Sequence, residues 1–230
     1  MEIRMRLRSL FLWDICFQAK YGFYFLYAVL TGIYVSILFA LPENWQEKVA
    51  TILIFSDPAA MGLFFMGAIV LFEKNQHTPC AFAVSPVRPM EYIIAKTGSL
   101  SVISLVVAAI LGLAANVAHL YIVLFGTVIS SVVFTLLGMI IATKISSLNQ
   151  FILWTVPIEI ACFVPAVLHV FKITPAWFRY YPANVCMDLV SGRIPPAAGS
   201  FIAIGWMAVL FALSKYSVLK MWRSTGGAKL

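Results

Sequence analysis

Charge is scarce in this chain, since only 11% of its 230 residues are charged while 62% are hydrophobic. This composition, with a mean hydropathy of +0.96, excludes an ordinary soluble domain. At about 20 to 25 residues per crossing, the chain has room for about six membrane spans and their connections. The sequence therefore predicts an all-α polytopic membrane protein.

Cysteine is scarce too, and the four copies, Cys16, Cys80, Cys162 and Cys186, show no metal-ligand spacing. No two of them are expected in one oxidising compartment, so neither a disulfide nor a metal site is predicted. The chain also lacks a glycine-rich loop ending in Lys-Ser or Lys-Thr, a nucleophile elbow and a His-Glu-x-x-His motif. It is expected to bind no cofactor and to be no enzyme by itself.

The net charge of +7 is distributed unevenly along the chain. With both termini cytoplasmic, 12 of the 16 Lys and Arg residues fall on the inner face of a membrane. Basic residues accumulate on that face, so the distribution predicts this orientation and argues against a nucleic-acid partner. The basic residues left outside are Lys48, Lys172, Arg179 and Arg193.

Hydropathy predicts an interfacial helix, then six spans and two segments between them. A cleavable signal peptide is the alternative for the first helix, but Asp14 and the absence of a small-residue cleavage pattern disfavour it. The outer connection after the first span, 42–48, is predicted as a short loop. In the fourth span, Thr127, Ser131, Thr135, Gly138 and Ala142 form a small-residue stripe that favours close helix packing over a substrate path. The interfacial helix covers 1–19, the spans cover 22–41, 52–72, 92–115, 120–143, 151–171 and 200–219, and the segments cover 73–91 and 172–199.

The polar connection between the second and third spans is the most informative stretch. Pro79, Pro86 and Pro89 divide it, because proline lacks an N–H and disfavours helix at the preceding residue. One short amphipathic helix, 79–85, fits between them with Phe82 as its apolar face. A second helix is predicted to begin at Pro89, with Glu91 in its first turn.

This connection resembles the corresponding loop of ABC-2 type transporter permeases. The resemblance rests on Glu73, the run from Thr78 to Val84, Ser85-Pro86-Val87-Arg88, Glu91-Tyr92 and Lys96. The wider pattern is similar to fluoroquinolone export permeases, including Lys20-Tyr21-Gly22 and Ser147-Leu148-Asn149-Gln150.

The resemblance implies a single transmembrane domain over 1–230 in a bacterial inner membrane. It also implies a separate ABC ATPase subunit, which holds ATP and Mg, and a second permease subunit, identical or homologous. The short helix would enter a groove of the ATPase, and further short helices, 175–180 and 183–191, would dip into the outer leaflet. The residues implied in ATPase coupling are Glu73, Thr78, Phe82, Ser85, Pro86, Arg88 and Glu91.

Polar residues inside the spans are candidates for a substrate pathway. Tyr27, Thr31 and Tyr34 share one face of the first span, where interhelical packing is the alternative to a role in substrate contact. Asp57 is expected to reach the outer interface or to cap a helix that restarts at Pro58.

Glu159 lies near the middle of the fifth span, between Pro157 and Pro165, which can break the helix locally. It is expected either to be a structural neutral acid or to face a cavity flanked by the tyrosine stripe of the first span. The cavity interpretation gives the carboxylate a role with cationic substrates.

The function predicted from these observations is the permease subunit of an ATP-driven exporter of amphipathic, drug-like small molecules. Two alternatives remain open. One is an ABC-2 permease for a peptide, lipid or haem-maturation substrate, and the other is an ATPase-independent scaffold or intramembrane enzyme. The expected partners are the ATPase, a second permease, membrane lipid and the small-molecule substrate.

Overall fold

The structure, a computed structural model, describes residues 2–193 and 197–225. Met1, part of the predicted outer segment and the end of the C-terminal tail lie outside these residues. Within them all regular secondary structure is helical. The elements are α1 (Glu2–Lys20), α2 (Phe23–Ala40), α3 (Glu43–Ala60), a π-helical turn (Met61–Phe65), α4 (Met66–Asn75), α5 (Thr78–Val84), α6 (Pro89–Ala114), α7 (Leu120–Lys144), α8 (Leu148–Val170), a 3-10 turn (Ala176–Tyr180), α9 (Pro182–Val190) and α10 (Ala197–Thr225).

Six helices of the described chain are long and apolar enough to cross a membrane. They are α2, the continuous unit from α3 to α4, α6, α7, α8 and α10. The predicted fold class, an all-α polytopic membrane protein with about six spans, is confirmed. The short helices predicted after the second and fifth spans are present as α5, the 3-10 turn and α9.

The second span differs from its prediction at its outer half. The predicted loop 42–48 is wrong, because helix begins at Glu43 and the connection after α2 is only two residues long. The predicted restart at Pro58 is also wrong, since α3 continues to Ala60 and then passes into the π turn. A helical unit from Glu43 to Asn75 is about 50 Å long, which exceeds the ~30 Å hydrocarbon core of a bilayer. Its first turns therefore extend beyond the membrane.

The π turn lies very close to α7. A Cβ added to Gly138 would lie 2.5 Å from the carbonyl oxygen of Leu63, and one added to Gly62 would lie 2.7 Å from the backbone nitrogen of Thr135. Backbone therefore meets backbone between the π turn and α7. The small-residue stripe of α7 is a packing surface, as the sequence indicates.

The fifth span is unbroken. Although Pro157 and Pro165 were expected to break it locally, α8 runs continuously from Leu148 to Val170. Proline is tolerated inside membrane helices when local adjustment satisfies the freed carbonyl groups. The irregularity of this fold lies in the second span.

The outer helix α9 is part of the core. It packs against α3, α7, α8 and α10, and its residues from Ala183 to Asp188 are buried. The Asn184 amide donates to the carbonyl of Phe178 at 2.8 Å, and His169 Nε2 lies 3.1 Å from Asp188 Oδ1. The first bond ties α9 to the preceding 3-10 turn, and the second joins the end of α8 to α9.

Candidate functional site

The connection between α4 and α6 is closed by its own side chains. The Ser85 hydroxyl donates to the Phe82 carbonyl at 3.0 Å and accepts the Val87 N–H at 3.3 Å, which ends α5 and sets the following turn. Glu91 accepts the Arg88 N–H at 3.0 Å and thereby caps α6. The predicted helix start at Pro89, with Glu91 in the first turn, is confirmed.

A buried ionic cluster lies directly behind this connection. Lys96 Nζ is 2.6 Å from Glu73 Oε1 and 2.5 Å from Asp14 Oδ1, and the Tyr92 hydroxyl donates to Glu73 Oε2 at 2.5 Å. All four residues are buried. Burial raises the pKa of the Asp14 carboxyl, and the positive charge of Lys96 opposes this rise. The cluster joins three elements, α1, α4 and α6, at one point.

Helix α1 makes three further polar contacts around the cluster. The Arg6 guanidinium donates to the Pro86 carbonyl at 3.3 Å and lies 3.8 Å from Glu91 Oε1. The Gln18 amide donates to the Ser99 hydroxyl at 2.9 Å. These contacts hold α1 along the inner half of α6, so that it supports the connection from behind.

Lys74 fixes the inner end of α7. Its ammonium donates to the carbonyl oxygens of Ala142, Thr143 and Ile145 at 2.7, 2.9 and 2.6 Å. The last carbonyl groups of a helix lack intrahelical partners and carry partial negative charge, so an ammonium is well suited to bind them. The end of the second span is thereby bound to the end of the fourth.

The ring of Phe82 faces the spans. Its centroid lies 5.6 Å from the ring centroid of Trp222, with the two rings nearly parallel, and 5.4 Å from that of Tyr92, in an edge-on contact. The exposed face of α5 consists instead of Ala81, Ala83 and Val84, of which Val84 is 88% exposed. The apolar face expected at Phe82 thus serves to attach α5 to α6 and α10, and the outward face is made by smaller residues.

The structure brings the predicted coupling residues together within one segment at the inner ends of α4 and α6. It does not bring together the predicted pathway residues. Tyr27 and Thr31 are buried, and Tyr27 packs on Phe65 of the π turn with ring centroids 5.4 Å apart. The carboxylate within electrostatic range of Tyr27 and Tyr34 is Asp57 and not Glu159.

Asp57 does not reach the outer interface as expected. Its side chain is 3% exposed, and its Oδ2 has no hydrogen-bond partner among the described residues. Because α3 is continuous around it, the side chain stays inside the bundle, within electrostatic range of Tyr27 and Tyr34 of α2.

Glu159 is half-buried on α8, beside an apolar groove. The inner part of the groove, between α7 and α8, has a volume of about 440 Å³ and is lined by Lys144, Trp154 and Ile158 among others. The outer part, about 190 Å³, lies between α7, α8, α9 and α10 and shares Ile158. Glu159 follows Ile158 in the helix and lies within electrostatic range of Cys162, which lines the outer part. We call these two parts together the α8 groove.

Sequence reasoning missed the residues that hold the connection in place. Lys96 belongs to the quoted motif but received no role, Lys74 was used only as a topology signal, and Asp14 was used only against a cleavable signal peptide. The sequence contains a signal for two of these residues. Lys96 is a lone cation in an apolar span, and Asp14 is the one acid in the middle of a basic and apolar helix. Such residues require partners when they are buried.

Six apolar helices and a structured polar connection at one end place this chain in the class of multi-pass membrane proteins. The model of the fluoroquinolones export permease protein family matches residues 5–221, and the chain belongs to this family. The resemblance found in the sequence is thereby confirmed.

Two fluoroquinolones export permease proteins, from two strains of Mycobacterium tuberculosis, are similar to this chain. Each is 30% identical over 152 residues, which cover 64% of this chain and 64% of the relative. The chain thus spans somewhat less than two thirds of the length of the curated relatives that it matches.

Proposed function

We propose that this chain is the transmembrane permease subunit of an ATP-binding-cassette exporter. It moves an amphipathic, drug-like small molecule out of a bacterial cell, using ATP and Mg held by a separate ATPase. A second permease subunit completes the pathway. Both termini and α5 face the cytoplasm, in agreement with the distribution of basic residues.

The observation that carries this proposal is the attachment of α5. Its inner face is fixed by Phe82 to Tyr92 and Trp222, and its outer face is free for contact with a partner. A push on α5 passes to α6 and α10 through these rings, and to α1 and α4 through the Lys96 cluster. A helix supported in this way transmits closure of an ATPase dimer to the spans as a rigid-body movement.

This role predicts that the two faces of α5 respond differently to substitution. The face with Val84 points away from the spans, and the face with Phe82 packs against them. Val84→Asp places a charge on the contact face, so co-purification of the ATPase should fall at least tenfold while the permease remains folded. Phe82→Ala should lower both permease stability and substrate-stimulated ATP hydrolysis, because the helix loses its support. Asn75→Asp, an equal charge at an exposed position before α5, is the control. Normal ATPase recovery with Val84→Asp would contradict the proposal.

The α8 groove supports an amphipathic substrate. Its lining is mostly apolar, with Lys144 and Trp154 at the inner end, and it extends past the middle of α8. Apolar grooves with a few polar groups are typical of sites for drug-sized molecules. The M. tuberculosis relatives are fluoroquinolones export permease proteins, and we extend that substrate class to this chain.

A substitution at Glu159 tests whether the permease prefers cationic substrates. Glu159→Gln keeps the shape and removes the negative charge, so export of a cationic dye should fall about tenfold while export of a neutral dye stays within twofold. Accumulation of both dyes would be measured in cells that express the permease with its ATPase. Glu43→Gln, at an exposed residue of α3, is the matched control. Unchanged export of cations would return Glu159 to a structural role.

A further inference from the structure

Three arginines near the start of α1 have different environments. Arg6 is bound to the Pro86 carbonyl and paired with Glu91. Arg4 and Arg8 are exposed, and within residues 2–193 and 197–225 neither guanidinium has a hydrogen bond or an ion pair. Positions four apart lie on one face of a helix, so the two free guanidinium groups are neighbours.

An apolar groove begins directly beneath these two arginines. It has a volume of about 380 Å³ and is lined by Arg4, Leu7, Arg8, Phe11, Ile94, Ala95 and Gly98. Gly98 keeps its floor open, because a Cβ there would lie 3.2 Å from the ring of Phe11. Two cations thus stand over a hydrocarbon-lined slot between α1 and α6.

The slot continues into an exposed stripe of α6. Ile94, Val102, Val106 and Ile110 are 43%, 38%, 55% and 43% exposed, and with Gly98 they recur every four residues along one inclined ridge of the helix. From Ile94 to Val106 the helix rises about 18 Å. One acyl chain covers about half of the ~30 Å hydrocarbon thickness of a bilayer, and the rise of the helix is close to that length.

We propose that this slot binds an anionic phospholipid of the leaflet that contains α1, with its phosphate between Arg4 and Arg8 and one acyl chain along the α6 stripe. Charge complementarity selects the head group, since basic side chains at a membrane surface attract anionic lipids. Two of the α6 residues that line the slot, Ile94 and Ala95, immediately precede Lys96. The lipid therefore holds α1 against α6 beside the buried cluster. This inference depends on the membrane fold and not on the exported substrate.

Native mass spectrometry of the purified full-length chain tests the site, with phosphatidylglycerol and phosphatidylcholine of identical acyl chains in competition. The parent should retain phosphatidylglycerol preferentially. At about fivefold per basic residue, Arg4→Gln/Arg8→Gln should reduce this preference about 30-fold. Arg4→Lys/Arg8→Lys should keep most of it. Arg193→Gln, at an exposed arginine elsewhere, should leave it unchanged.

Two further arms separate the parts of the ligand. Ile94→Trp fills the slot without changing charge, so retention of both lipids should fall while the preference between them persists. Glycerol 3-phosphate, which has the charge but no acyl chains, should not compete at lipid concentrations. An unchanged preference in Arg4→Gln/Arg8→Gln, or an equal loss in Arg193→Gln, would overturn the proposal. Competition by glycerol 3-phosphate would also overturn it, since the site would then bind phosphate alone.

Discussion

At the scale of single residues, Lys96 carries more of the structure than any other charge in the described chain. One buried cation faces two buried carboxylates, and Tyr92 supplies a further hydrogen bond to Glu73. Burying ions costs several kcal/mol each, which is recovered only when their partners are complete. Removing the shared cation therefore costs more than removing either acid.

Lys96→Met should accordingly destabilise the protein by about 3–5 kcal/mol, because two buried carboxylates lose their counter-ion. Asp14→Asn should cost less, since Lys96 and Glu73 remain paired. The apparent melting temperature of the purified protein measures both, and the Lys96 variant should melt about 10 °C lower than the parent. Equal melting temperatures for the two variants would show that the cluster is not held by its cation.

At the scale of elements, the second span is organised by its π turn. A π turn adds a residue to a helical turn and displaces the residues that follow. Here it presents the backbone carbonyls of Gly62 and Leu63 to α7, where Gly138 leaves room for them. This contact sets the distance between the second and fourth spans. It acts on the half of the bundle that ends at Lys74 and the Lys96 cluster.

A methyl group at this contact should separate the two helices. Gly138→Ala would place Cβ 2.5 Å from the Leu63 carbonyl, so the expected loss is about 1–3 kcal/mol. In Gly205→Ala the new Cβ meets nothing within 4 Å, so the control should be neutral or slightly stabilised. Thermal unfolding of the two purified variants gives the comparison. A stable Gly138→Ala protein would mean that the close approach is unimportant.

At the scale of the whole molecule, orientation rests on the distribution of basic residues and can be tested with thiols. Cys186 is the native cysteine within the predicted outer segment 172–199, but this residue is 1% exposed, and burial raises the pKa of its thiol to about 11. A buried thiol with little thiolate reacts slowly. Arg193, which is exposed at the end of α9, is the better position.

Arg193→Cys in a Cys16→Ser/Cys80→Ser background should therefore react with a membrane-impermeant maleimide in intact cells. The native chain, whose Cys16 is exposed and whose Cys80 is half-buried, should react only after permeabilisation. Labelling would be followed by the mass shift of the purified protein. Reaction of the native chain in intact cells, without reaction of the Arg193 variant, would reverse the proposed topology.

The sequence by itself determined the fold class and the short helix α5. It also determined five of the six spans to within a few residues, except that α10 extends further at its C-terminal end. These features follow from local hydropathy, from proline at the helix boundaries and from a motif confined to one connection. The beginning of the second span was missed because the polar residues from Glu43 to Lys48 resemble a loop when only hydropathy is considered. Their helix continues the span into the region outside the hydrocarbon core.

Only the tertiary structure decided which polar residues meet. Asp14 and Glu73 are 59 positions apart, yet both reach Lys96, and Phe82 lies against Trp222 because α10 returns to the end of the bundle that holds α5. Asp57, expected to reach the outer interface or to cap a helix, is buried within electrostatic range of Tyr27 of α2, whereas Glu159 follows Ile158, which lines the α8 groove. Helical periodicity gives the face of each residue within its own helix, whereas the partner across that face is set by how whole helices cross.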